Sequence, residues 1–174
     1  GLITALKQSV LNMQEGKSAT AVTAPALSRQ GTHKKLVNQN TTTAAGMGGV
    51  GKTMTAVLLV RDDDVRSSFE KICWVSVGQE PDTAALQQTL HRQLVNMALP
   101  EAAKLDPMVA LGVLKDVAKD SKVLLVLDDV WLASHTTQLL FVDPSALRSA
   151  VVVTTRIRSL LDGATEVQCG TLSR

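Results

Sequence analysis

Apolar and polar residues alternate along this chain in two rhythms, and the change from one to the other divides it into elements. Near the start, Leu2, Leu6, Val10 and Met13 fall on one stripe of a short helix. After Gly16 the stripe gives way to Ser, Thr, Ala, Gln and Asn, with Pro25 and Gly31 as breakers. Such a stretch offers little apolar surface to offset its ordering entropy, so it reads as a flexible linker. Thr41–Ala45 is a polar, β-branched candidate strand, and Lys52 to about Val60 a helix. Ile72–Val77 is rich in β-formers and predicts a strand. Asp82 can cap a helix bearing Leu86, Leu90, Leu94 and Met97 on one face. Asp106-Pro107 supplies a cap and first-turn proline for the next helix, with Ala110, Leu111, Leu114 and Val117 inward. Val123–Leu127 is a continuous apolar run, as in a parallel strand buried on both faces. Val151–Thr155 and Glu166–Cys169 complete the strands.

Strands separated by helices imply a parallel sheet with crossover helices, and hence an α/β fold. The length, 174 residues, suits one core. The boundaries this suggests are a short helix and linker over 1–40 and an α/β domain over 41–174. Aromatic residues are only 2% of the chain, so the core must be aliphatic and the stacking platforms of single-strand nucleic-acid binders are scarce. The formal charge of +2 is too small to imply a nucleic-acid or membrane partner. Residues 1–45 are locally basic, with Lys7, Lys17, Arg29, Lys34 and Lys35 against Glu15, and read as a solvated arm. Cys73 and Cys169 fit neither a zinc finger nor a disulfide framework. With no signal-peptide pattern and no apolar run near the about 18 residues of a membrane span, a soluble cytoplasmic protein is expected. His33, His91 and His135 sit in unrelated contexts and read as structural or exposed, and Trp74 and Trp131 as core or sheet-edge packing.

The chemistry concentrates at Gly46-Met47-Gly48-Gly49-Val50-Gly51-Lys52-Thr53, which fits G-x-x-x-x-G-K-[ST] at every fixed position. Wrapping a phosphate chain requires backbone N–H groups turned inward without a Cβ in the way, which explains the four glycines. The helix starting here adds unpaired N–H groups and the positive end of its dipole. Lys52 offers a charge to the β- and γ-phosphates, and Thr53 a hydroxyl to Mg²⁺. The candidate nucleotide-binding set runs from Gly46 to Met54.

Further on, Lys122-Val-Leu-Leu-Val-Leu-Asp128-Asp129 is an apolar strand ending in two carboxylates. Ligands in such sheets bind beyond the carboxyl ends of the strands, so Asp128 would face the same Mg²⁺ as Thr53. Asp129 can orient or deprotonate a water attacking the γ-phosphate, which makes Asp129 and Lys52 the candidate catalytic residues. The competing reading of an Asp-Asp pair is a turn or helix cap. Thr154-Thr155-Arg156 closes another strand, and Arg156 there can reach a γ-phosphate, with a plain surface arginine as the alternative. Arg158 reads as solvent-facing.

Together these segments resemble the NB-ARC family, the nucleotide-binding domain of plant disease-resistance proteins and apoptotic protease-activating factors. The likeness covers Gly46 to Arg156. It rests on the glycine loop, on Val60-Arg-Asp-Asp-Asp-Val-Arg-Ser-Ser-Phe69 leading into Ile72–Val77, on Leu124-Leu-Val-Leu-Asp-Asp-Val-Trp131, and on Val151-Val-Val-Thr-Thr-Arg156. The resemblance implies a P-loop NTPase with three α/β/α layers and a mainly parallel five-stranded sheet. It implies a signal-transduction ATPase that ADP keeps closed and ATP opens for oligomerisation through attached domains. By motif, Lys52 and Thr53 would hold phosphate and Mg²⁺, Asp128 would complete the metal site, and Asp129 would serve hydrolysis. Arg156 would sense the γ-phosphate, on a strand lying between the loop strand and the Asp128 strand.

The chain departs from the family in its polar Thr41–Ala45 strand and in lacking a recognisable adenine-contacting segment between residues 15 and 40. It also ends without the helical subdomains or leucine-rich repeats that follow in the family, as expected for a fragment or a truncated relative. A turnover ATPase and a module that has lost nucleotide affinity remain as competing readings. The Asn-Lys-x-Asp of guanine-specific proteins is absent, which disfavours a GTPase.

Overall fold

A computed structural model describes residues 2–14, 41–45, 51–142, 149–161 and 164–168. The glycine-loop positions Gly46, Met47, Gly48, Gly49 and Val50 lie outside the described residues, as do the expected linker, His33 and Cys169. Five strands form one sheet: β1 (Thr41–Ala45), β2 (Lys71–Gly78), β3 (Val123–Val130), β4 (Ala150–Thr155) and β5 (Thr165–Gln168). Their spatial order is β2-β3-β4-β1-β5, and every pairing is parallel. The β4 strand thus lies between β1 and β3, where the family resemblance puts it. The fold is that of a P-loop NTPase, three α/β/α layers around a parallel five-stranded sheet.

The helices are α1 (Leu2–Gln14), α2 (Lys52–Arg61), α3 (Asp63–Ser68), α4 (Thr83–Val95), α5 (Glu101–Lys104), α6 (Pro107–Ala118) and α7 (Ala133–Thr136). Strand alternation sorts the core into two layers, because successive side chains point to opposite faces. Cys73, Val75, Val123, Leu125, Leu127, Val151 and Val153 pack against Leu90 and Leu94 of α4 and Leu111 and Leu114 of α6. On the other face Leu124, Val126, Ala150 and Val152 meet Leu6 and Val10 of α1, Ala56 and Leu59 of α2, and Val65 of α3. The caps follow the sequence, with the Asp82 carboxylate accepting from the Ala85 N–H at 3.0 Å and that of Asp106 from the Met108 N–H at 2.8 Å. The sheet's β2 edge is also covered, since the Gln93 amide accepts from the Trp74 N–H at 2.7 Å and donates to the Trp74 carbonyl at 2.8 Å.

Three expectations need correction. The α4 stripe ends before Met97, because Asn96 turns left-handed (φ 56°) and leaves Met97 66% exposed. The basic arm is not a free tail at Lys7, whose partly exposed ammonium is tethered 2.9 Å from Asp62 and 2.6 Å from Asp64, on the α2–α3 corner. The strand predicted to end at Leu127 runs on to Val130, because side chains of β4 satisfy its last residues.

The polar β1 strand is fully integrated. Thr41 to Ala45 pair in register with Val151 to Thr155, and Thr42 to Ala45 with Thr165 to Gln168. The buried Thr42 hydroxyl meets Ser9 of α1 at 2.7 Å.

Candidate functional site

The site lies at the carboxyl ends of β3 and β4, where the head of α2 meets the sheet. Gly51 precedes α2 in a left-handed conformation (φ 78°), which a glycine adopts without steric cost. Its carbonyl is held by the Thr55 N–H at 2.7 Å and the Thr55 hydroxyl at 2.9 Å, fixing the first turn. Lys52 is buried (8% exposed), whereas Met54 on the same turn is 60% exposed.

From this turn the Thr53 hydroxyl donates to Asp128, at 2.9 Å from Oδ1 and 3.2 Å from Oδ2. Leu124 and Val126 face α2, so strand alternation brings Asp128 to the same face. Its carboxylate is 5% exposed and also accepts from the Thr154 hydroxyl at 2.5 Å. Residues 75 apart in sequence are thereby joined through one carboxylate.

Asp129 does not continue the alternation. The β3–β4 register slips between Leu127 and Val130, and Asp129 takes φ 56°, a left-handed conformation that aspartate tolerates better than most residues. The slip is pinned on both sides. Asp129 N–H donates to Thr154 Oγ1 at 2.9 Å, and the Thr155 hydroxyl to the Val130 carbonyl at 2.6 Å. Thr155 Oγ1 in turn accepts from Ile157 N–H at 3.0 Å, setting the path of the chain beyond β4.

On that path Arg156 stands with its Nε 3.6 Å from Asp129 Oδ1 and its guanidinium carbon 5.2 Å from the centre of the Trp131 ring. The Arg156 side chain is 51% exposed and that of Asp129 39%, so both remain open to a ligand. Arg158 is exposed.

Lys52, Thr53, Asp128, Asp129 and Arg156 therefore converge on one end of the sheet. Two residues that the sequence reading gave no role here belong beside them. Thr154 ties Asp128 to the Asp129 backbone, and Trp131 carries Arg156. The signal for Thr154 was present, because strand parity puts it on the face of Asp128. Trp131 lay hidden, since its contact depends on the β3 irregularity. Trp74, by contrast, packs partly buried at the sheet edge, as expected. His91 is buried with Nδ1 2.8 Å from the Met97 carbonyl, a structural role.

Comparison with known proteins bears on the family and the fold. The NB-ARC domain model matches residues 29–171. Disease resistance RPP13-like protein 2 of Arabidopsis thaliana is 30% identical over 119 residues, covering 68% of this chain and 14% of that protein. Disease resistance protein RPP13 of the same plant is 31% identical over 122 residues, covering 68% and 15%. The chain thus spans about one seventh of the length of these relatives. A chain of the Drosophila ORC bound to AT-rich DNA and Cdc6 superposes with a TM-score of 0.57 at 9% identity, over 79% of this chain and 51% of that one. That likeness concerns the fold alone. With the family model matched across most of its length, and the phosphate-loop helix, paired carboxylates and Thr-Thr-Arg brought to one sheet end, the chain belongs to the NB-ARC domain family.

Proposed function

We propose that this chain is the ADP- and ATP-binding switch of a defence-type signalling NTPase, with residues 41–174 as the nucleotide-binding domain and slow Mg²⁺-dependent hydrolysis of ATP. The observation that carries the reading is the meeting of Thr53 and Asp128 at the head of α2, beside Lys52. A hydroxyl and a carboxylate are hard oxygen donors, and Mg²⁺ is commonly held by one or two such groups with phosphate and water completing its shell. The residues present fit that ion. When bound, Mg²⁺ would neutralise charge on the β- and γ-phosphate oxygens.

The chain's own groups divide the remaining work. The loop amides and the α2 dipole hold the phosphates, and Lys52 adds a fixed cation. Thr53 and Asp128 present oxygens to the metal, with Thr154 holding the Asp128 carboxylate in place. Asp129 accepts a proton from water, or orients it, at the γ-phosphate. Arg156 pairs with the γ-phosphate when ATP is bound, which gives the two nucleotides different contacts. Only a ligand that binds two states unequally can switch them. Partners would then be other domains of a longer receptor, or further copies of the chain. The full pairing of β1 on both sides supports a competent loop anchor over a module that has lost its ligand.

Calorimetry with ADP and ATP, with and without Mg²⁺, tests this reading. Binding should be seen with both, and Lys52→Ala should weaken it at least about tenfold through loss of a charge-assisted contact. Absence of heat at millimolar nucleotide would refute the assignment.

A further inference from the structure

Arg156 is already engaged at a site whose proposed role for it is contact with a γ-phosphate. Its guanidinium rests over Trp131 and its Nε approaches Asp129, and both contacts are loose: 5.2 Å to the ring centre and 3.6 Å to the carboxylate. Each such contact at a half-exposed site biases a side chain by about two- to fivefold, too little to lock it. A γ-phosphate offers the guanidinium charge-assisted hydrogen bonds, each favoured by at least about tenfold. The backbone on either side of the pair can stay in place while the arginine side chain leaves. Asp129 is fixed by its own N–H to Thr154, and the turn into Arg156 by Ile157 N–H to Thr155.

Resting on the nucleotide-binding reading, we propose that Trp131 is a positioning residue for Arg156. The indole holds the guanidinium beside Asp129, where the two charges neutralise each other, until a γ-phosphate draws the arginine away. ADP, lacking that phosphate, leaves the pair in place. Arg156 then reports the third phosphate by departing from Trp131, and Asp129 is released for its water only in the ATP state.

The chain contains two tryptophans, so a Trp74→Phe background leaves Trp131 as the sole emitter. A non-hydrolysable ATP analogue with Mg²⁺ should change Trp131 emission, while ADP with Mg²⁺ leaves it near the unliganded value. Arg156→Ala, at an exposed side chain, should make the two responses coincide. Trp131→Ala should raise the ratio of analogue to ADP affinity by about two- to fivefold, because the competing platform is gone. Trp131→Phe, which preserves an aromatic face, should fall between and guards against a folding defect. Equal emission responses to both nucleotides, with both binding by calorimetry, would overturn the inference. So would a difference that survives Arg156→Ala. Absence of heat with either nucleotide would instead remove the nucleotide reading, and this inference with it.

Discussion

Asp128 shows how much one buried carboxylate carries. It is 5% exposed and accepts from both Thr53 and Thr154, so its geometry is fixed before any ligand arrives. Asp128→Asn keeps the shape and one acceptor oxygen but removes the charge a divalent cation needs. Mg²⁺-dependent nucleotide affinity should fall about tenfold or more while Mg²⁺-free affinity changes little, as read by titration with and without EDTA. The opposite ordering would argue against a metal role. Thr43 presents the reverse case. It is 2% exposed and its hydroxyl has no hydrogen-bond partner among the described residues. Thr43→Val removes that unpaired oxygen at nearly constant volume and should stabilise the fold by about 1 kcal/mol, measured as a higher urea midpoint. A lower midpoint would mean that the hydroxyl is bonded after all.

At the scale of elements, α1 is joined to the sheet by apolar and ionic contacts together. Leu6 and Val10 are fully buried, and Lys7 pairs with Asp62 and Asp64 at the α2–α3 corner. Donating hydrogen bonds to the carboxylates of Asp64 and Asp62 raises the Lys7 pKa above 10.5, and accepting that bond chiefly lowers the pKa of Asp62 below 3.8. A raised lysine pKa contributes stability present below 10.5 and lost as pH climbs through the folded value. A lowered aspartate pKa contributes stability present above 3.8 and lost as pH falls through its folded value. Docking of α1 should thus be firmest between about pH 4 and 10, and Lys7→Met should flatten stability against pH at both ends of that window. The pair is open to solvent, so the difference should shrink in molar salt. An unchanged pH profile in Lys7→Met would show that apolar packing alone holds the helix.

Legibility followed the range of the interactions involved. Elements with a strong local signature were readable, among them β2 from its run of β-formers and α4 and α6 from the Asp82 and Asp106-Pro107 caps. The single turns α5 and α7 were not, since four residues give too little periodicity to detect. The α3 helix was passed over although Asp62 caps it through Asp64 N–H and Val65 N–H. The signal was there, inside a segment read as motif. The extension of β3 depends on hydroxyls of β4, far off in sequence, and no local pattern carries it.

For the molecule as a whole, the question is whether two aliphatic layers on one sheet unfold as one body. Cys73 offers a native probe. It is fully buried on β2, the edge strand, opposite Leu125 of β3, and burial pushes its thiol pKa up to about 12, with nearby Lys71 only partly opposing. Both exclusion from solvent and scarcity of thiolate make it inert in the folded state. In a Cys169→Ser background, leaving Cys73 as the sole thiol, a disulfide reagent should react only on unfolding. Its labelling midpoint in urea should coincide with that of far-ultraviolet circular dichroism, because β3 and β4 contribute side chains to both layers and couple them. Labelling at lower urea would locate an independent opening at the β2 edge, where Gln93 is the cover. Gln93→Ala should then advance it further, since that one side chain both accepts from the Trp74 N–H and donates to its carbonyl.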